Sequence, residues 1–518
     1  MSHPPFDRRH LLLGMGATLS LQTLFPLSNG LAADISGRAS GRDPFRLGVA
    51  SGSPTSSAVV LWTRLAPDPL AEGGGMPPRA VPVRWVMALS PDLSRPVASG
   101  TATARPDRAH SVHVDVRHLA PDTRYWYRFF VGDAASPIGA TKTLPAPLSS
   151  TREVRFATLC CQNYAHGYFT GYDAIVEDEP DFVLHLGDYI YETDFGTPVR
   201  PHETTAPLDT LDAFRRRHAL YKMDPSLARA HAMLPFFATL DNHDAAIDAS
   251  PATRSIRALA YRAWLEHMPV RHFLEPDGHA NIAQSIVVGD LVHIAVPDTR
   301  QFRDTQAICT ASATPQWGFG NYRIACDNMD DPHRTMLGVA QEQRLQADFR
   351  RLRRRWNVLA STVPVAPFVM ADGPYRRAYV ASWDGYPAAR QRLLSGLRAA
   401  GIGNVVVLSG DVHSSWIMDL RERADDPASL IGTEIVATSL SSDCPRALSD
   451  PMTANVSHNP HVRFFDVDRR GYVLNTVDRD HWRAALKFVD DVKVKGGTTR
   501  TGKQVVIAAG RPGIQDLV

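Results

Sequence analysis

Phe182-Val183-Leu184-His185-Leu186-Gly187-Asp188-Tyr189-Ile190-Tyr191-Glu192 is the stretch that decides the fold. Its first half reads as a short strand buried on both faces, the pattern of a central strand in a parallel sheet. A glycine ends it, and an aspartate, two tyrosines and a glutamate follow. The same order recurs elsewhere. Val154-Arg155-Phe156-Ala157-Thr158-Leu159 ends in Cys160-Cys161-Gln162-Asn163, and Phe236-Phe237-Ala238-Thr239-Leu240 ends in Asp241-Asn242-His243-Asp244. Leu291-Val292-His293-Ile294-Ala295-Val296 ends in Pro297-Asp298-Thr299-Arg300-Gln301, and Val405-Val406-Val407-Leu408-Ser409 ends in Gly410-Asp411-Val412-His413. In α/β sheets, sites form beyond the carboxyl ends of strands. Clusters at equivalent strand ends can converge on one place.

The collected side chains are carboxylates, imidazoles, an amide, phenols and thiols, with one guanidinium. Such donors suit metal ions. A carboxylate such as Asp188 can bridge two metals about 3.5–4 Å apart, and metals make hydroxide available by lowering the pKa of bound water. Arg300 offers a planar fork that matches phosphate oxygens. Metals together with Arg300 point to hydrolysis of a phosphate ester.

Outward from these strands, the chain is long. At roughly 150 residues per domain, its 518 residues suggest about three domain-equivalents. Hydrophobic residues at 44% and charged residues at 21% describe a globular chain. The 35 glycines and 38 prolines are scattered, which excludes a collagen-like or low-complexity protein. A net charge of +2 gives no global argument for nucleic acid, and none is expected as a partner. Five cysteines exclude a disulfide-built scaffold.

The region 1–33 reads as an export signal: Arg8-Arg9-His10, then Leu11-Leu12-Leu13 and an uncharged stretch, then small residues at Gly30 and Ala32-Ala33. The paired arginines resemble a twin-arginine signal, which makes the twin-arginine translocation machinery a partner and the periplasm or the exterior the destination. No later stretch is long and apolar enough to span a bilayer. Residues 34–148 show short alternating runs, such as Ala58-Val59-Val60-Leu61-Trp62 and Tyr125-Trp126-Tyr127-Arg128-Phe129, which predict an all-β sandwich. The segment around Leu119–Tyr127 resembles the late-strand corner of fibronectin-type-III-like domains. Pro145, Pro147 and Ser149-Ser150 read as a linker. The region 149–490 alternates strands with helices, the clearest helix running from Gln341 to Trp356, and 491–518 reads as a tail with one strand at Val505-Val506-Ile507.

Taken together, Cys161-Gln162-Asn163, Gly187-Asp188-Tyr189-Ile190-Tyr191-Glu192, Asp298-Thr299-Arg300-Gln301-Phe302-Arg303, Ser382-Trp383-Asp384-Gly385-Tyr386 and Gly410-Asp411-Val412-His413-Ser414-Ser415 resemble the PhoD-like alkaline phosphatases. Gly432-Thr433-Glu434, Thr438-Ser439 and Asn459-Pro460-His461 fit the same resemblance, which runs from about residue 44 to about 490. It implies an α/β metallophosphoesterase core of two β-sheets flanked by helices, behind the β-sandwich. It implies Fe(III) held by Cys161, Asp188 and Tyr191, with calcium or another divalent metal nearby. Asn242, Asp411 and His413 match further metal positions of the superfamily, with their division among the metals open. Arg300 would clamp phosphate, and His243 would protonate the leaving group or steady the transition state. One departure stands out. The family usually reads Trp-Asp-Asp-His-Glu where this chain has Leu240-Asp241-Asn242-His243-Asp244. A neutral amide at position 242 removes one negative charge, which disfavours calcium there and leaves room for a transition metal.

The expected function is therefore an exported, metal-dependent hydrolase of phosphate monoesters or diesters, acting through a metal-activated hydroxide. The competing readings are a phospholipase D-like diesterase on the same fold and a non-catalytic wall or carbohydrate-binding protein. A monomer is expected. Cys160, His185 and Tyr189 read as core, and Arg350–Arg355 as a solvated helix face. Cys309 and Cys326, flanking Trp317, read as a loop-closing disulfide, which export permits.

Overall fold

The computed structural model describes residues 43–245, 254–305, 322–324, 327–372 and 375–518. The signal region 1–33 and the pair Cys309 and Cys326 lie outside them. Two large sheets face each other. In the first, the strands lie in the order Asp516–Leu517, Thr499–Ala508, His481–Val489, Arg470–Asp478, Glu153–Leu159, Phe182–His185, Pro235–Ala238, Val49–Gly52, Ala58–Arg64 and Ser111–Arg117. In the second, Val292–Val296, Trp356–Ala360, Val405–Ser409 and Leu430–Val436 run parallel at the centre.

The layers follow from strands that are apolar on both faces. Phe156, Phe182, Ile294, Val358, Val406, Ile435 and Trp482 fill the space between the sheets. The other face of the first sheet is covered by helices through Tyr172, Ile175, Phe214, Leu227 and Trp264. The other face of the second sheet is covered through Leu345, Phe349, Leu393 and Leu397. This is the expected α/β architecture of two sheets flanked by helices. Helix starts are set locally. Thr210 accepts from the Ala213 N–H ahead of Leu211–Lys222, and Asp224 accepts from Ser226 and Leu227 ahead of Pro225–Met233.

The expected strands of the N-terminal region form as read. Val81–Ala88, Pro96–Ala104 and Arg124–Val131 build a separate sheet over their own apolar cluster. The Tyr125 hydroxyl reaches back to the Ala120 N–H at 2.8 Å, the corner that the sequence suggested. The opposite sheet of this sandwich is not separate. Gly52 pairs with Phe236 in a parallel ladder, so Val49–Gly52, Ala58–Arg64 and Ser111–Arg117 continue the catalytic sheet.

Two local expectations are corrected. The long helix spans Val339–Arg351; Leu352 caps it, and Trp356 opens a buried strand. Arg353, Arg354 and Arg355 therefore sit in the connection and not on a helix face. The C-terminal region is more than a tail: Thr499–Ala508 pairs with His481–Val489 along its length, and Asp516–Leu517 adds to its outer edge.

Candidate metal centre

Glu153–Leu159, Phe182–His185 and Pro235–Ala238 are parallel neighbours in the first sheet, and Val405–Ser409 is central in the second. Their carboxyl ends deliver Cys161, Asp188, Asp241 and Asp411 to one point. A parallel bridge between Cys160 and Ser439 stitches the two sheets together there. Two glycines permit the approach. A Cβ on Gly187, whose φ is 99°, would fall 2.4 Å from the Asp241 Cβ, and one on Gly410 would fall 2.5 Å from the Cys160 Sγ. Four of the converging residues have left-handed backbones: Cys161 at φ 55°, Asp188 at 54°, Asp411 at 73° and His413 at 51°. Such conformations each cost about 1–3 kcal/mol and cluster where function demands them.

Two groups of donors result. Cys161, Asp188 and His413 bring ligand-type atoms within 4.8 Å of one another. The Tyr191 hydroxyl lies 3.0 Å from both Asp188 Oδ2 and His413 Nε2, and Cys161 Sγ lies 3.6 Å from Asp188 Oδ2. Asp188, Asp241 and Asp411 form the second group, also within 4.8 Å, so Asp188 is common to both. Asn242 borders the second group.

These residues fit metal ions. Three buried carboxylates this close repel one another unless cations join them. Asp241 Oδ2 is buried with no hydrogen-bond partner among the described residues. The first group offers thiolate, phenolate and imidazole, the donor set of a transition metal; the second offers only oxygen atoms.

Burial governs the titration. It pushes the Asp188 carboxyl up to about 6, with His243 opposing and Asp241 adding. Burial and Asp241 push Asp411 well above its usual range. Asp241 is also raised by burial, but Arg300 outweighs this and holds it low. Burial pulls the His413 imidazole down to about 3 and raises the Cys161 thiol and the Tyr191 phenol well above their usual values. His413 is thus a neutral ring, and its Nδ1 lies 2.8 Å from the Asp443 carbonyl, which leaves Nε2 facing Tyr191.

His243 behaves differently. Burial lowers its pKa, but Glu192 and then Asp188 outweigh that and lift it to about 10. Its Nδ1 lies 2.8 Å from Glu192 Oε2, and its ring stacks on Tyr191 with centroids 4.3 Å apart. Its side chain is 21% exposed. His243 is therefore an imidazolium held by a carboxylate, suited to give a proton.

Arg300, expected as a phosphate clamp, is placed among the carboxylates of the second group. Its side chain is 1% exposed, with Nε on Asp241 and Nη2 2.9 Å from Asp411 Oδ1 and 3.1 Å from Asn242 Oδ1. Clustered carboxylates attract the fork more strongly than open solvent does, so it turns inward.

Several residues carry the site without having been singled out. Asp241 follows its strand directly, beside the asparagine that the family motif emphasised. Asp244 is fully buried and accepts four backbone N–H groups: Asp188 at 2.8 Å, Asp241 at 2.9 Å, Tyr189 at 2.9 Å and Ile190 at 3.1 Å. One carboxylate thus locks both ligand loops together. The Tyr379 hydroxyl donates to Asp411 Oδ2 at 2.6 Å, and no sequence signal marked it. Other motif residues brace the walls: Glu434 accepts from Val365 N–H and from the Ser409 hydroxyl, while Trp383 and Tyr386 are fully buried. Behind the loop, Lys222 Nζ lies 3.2 Å from the Tyr189 hydroxyl, 3.4 Å from His231 Nε2 and 4.5 Å above the Trp62 ring. Burial pulls its ammonium down to about 7.

Residues 156–486 match the PhoD-like phosphatase family, and residues 30–145 match the N-terminal domain of PhoD-like phosphatases. The chain belongs to the PhoD-like phosphatase family. It is 39% identical over 535 aligned residues to alkaline phosphatase D of Bacillus subtilis (strain 168), covering 99% of this chain and 89% of that protein. A solved structure of PhoD matches it with a TM-score of 0.84 at 39% identity, covering 90% of this chain and 91% of that one. Membership makes this chain an enzyme of the class that hydrolyses phosphoric esters. Among the described residues, no helix is long and apolar enough to cross a membrane.

Proposed function

We propose that this chain is an exported, metal-dependent phosphatase that cleaves phosphate monoesters or diesters. The observation that carries the reading is the pair of donor groups sharing Asp188, with a carboxylate-held imidazolium beside them. Fe(III) would be held by Cys161, Asp188 and Tyr191, with His413 in reach. Calcium or another divalent metal would be held by Asp188, Asp241, Asn242 and Asp411. Bound metals supply an activated water and neutralise charge on the phosphoryl oxygens. His243 delivers a proton from Nε2 to the departing oxygen, while Glu192 fixes Nδ1. Arg300 offsets the charge of Asp241 and Asp411 and holds them in register. Export by the twin-arginine route, a periplasmic or external destination and a monomeric state belong to the same proposal.

The test is the metal content of protein exported by its own signal, read beside hydrolysis of an aryl phosphate monoester and a diester. About one iron per chain is expected, with a second metal, and Cys161→Ala should remove the iron and the activity. Full activity in that variant would refute the thiolate reading. Hydrolysis in heavy-oxygen water should label phosphate in a single turnover, and a trapped phosphoenzyme would sink the scheme.

A further inference from the structure

Phe195 stands at the mouth of this site, where burial gives it no reward. It is 46% exposed, so core packing does not explain it. Its φ is 53°, in the left-handed region where a bulky side chain is strained and glycine is at ease. Strain of this kind clusters at active sites and ligand clamps, and here it falls beside the other left-handed residues of the centre, Cys161, Asp188, Asp411 and His413.

The surroundings say what that use is. The Phe195 carbonyl accepts from His166 Nε2 at 3.2 Å, while His166 Nδ1 accepts from the Asp443 N–H at 2.9 Å. Asp443 is the residue whose carbonyl holds His413. The loop bearing the phenyl ring is therefore tied to the metal centre. The ring meets His243 edge-on, with centroids 5.2 Å apart and planes at 71°, and meets Tyr191 at 6.2 Å and 84°. Three rings thus form one wall that opens outward, from Tyr191 at 1% exposure through the His243 side chain at 21% to Phe195 at 46%. On the proposed reading, a leaving group protonated by His243 would meet that wall.

We infer that Phe195 is a specificity-determining residue, stacking on the leaving group of phosphate esters whose organic part presents a flat, unsaturated face. The inference rests on the phosphoesterase reading. Benzyl phosphate and ethyl phosphate test it, because both release an alcohol and only one carries a ring. The ratio of their kcat/KM values should fall roughly 3–10-fold in Phe195→Ala and Phe195→Gly, through KM, as the loss of one aromatic pair implies. A ratio within twofold of wild type overturns the inference. Phe195→Gly relaxes the backbone, so its Tm should equal or exceed that of wild type; a lower Tm with an unchanged ratio would make the ring structural and overturn it too. Calorimetric binding of benzylphosphonate against ethylphosphonate reads the same contact without turnover. Wild-type protein that prefers benzylphosphonate through Phe195 but cleaves neither ester would sink the phosphoesterase reading alone. Equal preference in wild type and Phe195→Ala would sink the stacking role alone.

Discussion

Asp244→Asn isolates the lock between the two ligand loops. The native carboxylate receives two N–H groups on each oxygen. An asparagine keeps the shape but turns an NH2 group toward one of those pairs. Whichever way the amide sits, two buried donors lose their acceptor and face another donor. Each unsatisfied buried donor costs about 1–3 kcal/mol, so the variant should lose roughly 2–6 kcal/mol. At about 2 °C per kcal/mol, the figure at the large end of single domains, Tm should fall roughly 4–12 °C. The same change frees Asp188 from Asp241, so bound metal should fall as well. Calorimetric melting and plasma mass spectrometry on the same preparation read both. Melting and metal content that both match wild type would refute the argument that this carboxylate fixes the ligand loops.

Three further outcomes follow from the same geometry. Glu192→Gln removes the largest force holding the His243 proton, so the alkaline limb of the pH–rate profile should move down by roughly 1–3 units; an unmoved limb would remove His243 as the acid. Lys222 has a folded pKa of about 7 against about 10.4 unfolded, so between those values the unfolded chain binds more protons and stability rises with pH. Lys222→Met should flatten that rise, which amounts to at most ~1.4 kcal/mol per pH unit, in urea titrations at two alkaline pH values; an unchanged slope would contradict it. Deleting residues up to 148 strips Val49–Gly52 from the edge of Pro235–Ala238 and removes Trp62, whose Nε1 donates to the Glu266 carbonyl. The shortened chain should be insoluble or unfolded, and a soluble, active product would show that the sheet stands without that strand.

Much of this was legible in the sequence because each ligand-type residue directly follows a strand apolar on both faces. Cys161, Asp188, Asp411 and His413 could be placed at one point from that order alone. The strain in their backbones could not, since left-handed angles at non-glycine residues leave no local mark. Tyr379 reaches Asp411 from a distant strand, and pairing of that kind is written only in three dimensions. The inward turn of Arg300 was hidden because it depends on the charge of neighbours far apart in sequence. The helix after Val339 was read too long because its arginine-rich end continues the amphipathic pattern into a connection, where Trp356 starts a strand. That the sandwich shares a sheet with the core was not legible, because a parallel pairing between Gly52 and Phe236 has no local signature.

That pairing reaches into how the chain comes to exist. The middle of the first sheet is made from the middle of the chain, its one flank from the beginning and its other flank from the end: Gly52 waits for Phe236, and Glu153 waits for Asp478. Closing such long loops before any contact rewards them makes folding slow. A chain leaving the ribosome therefore holds one edge of Val49–Gly52 unpaired until the third strand of the catalytic sheet has emerged. The sheet is finished only when the last segments dock. For this molecule a half-made chain is a half-made sheet with open edges, the form most exposed to mispairing with its neighbours.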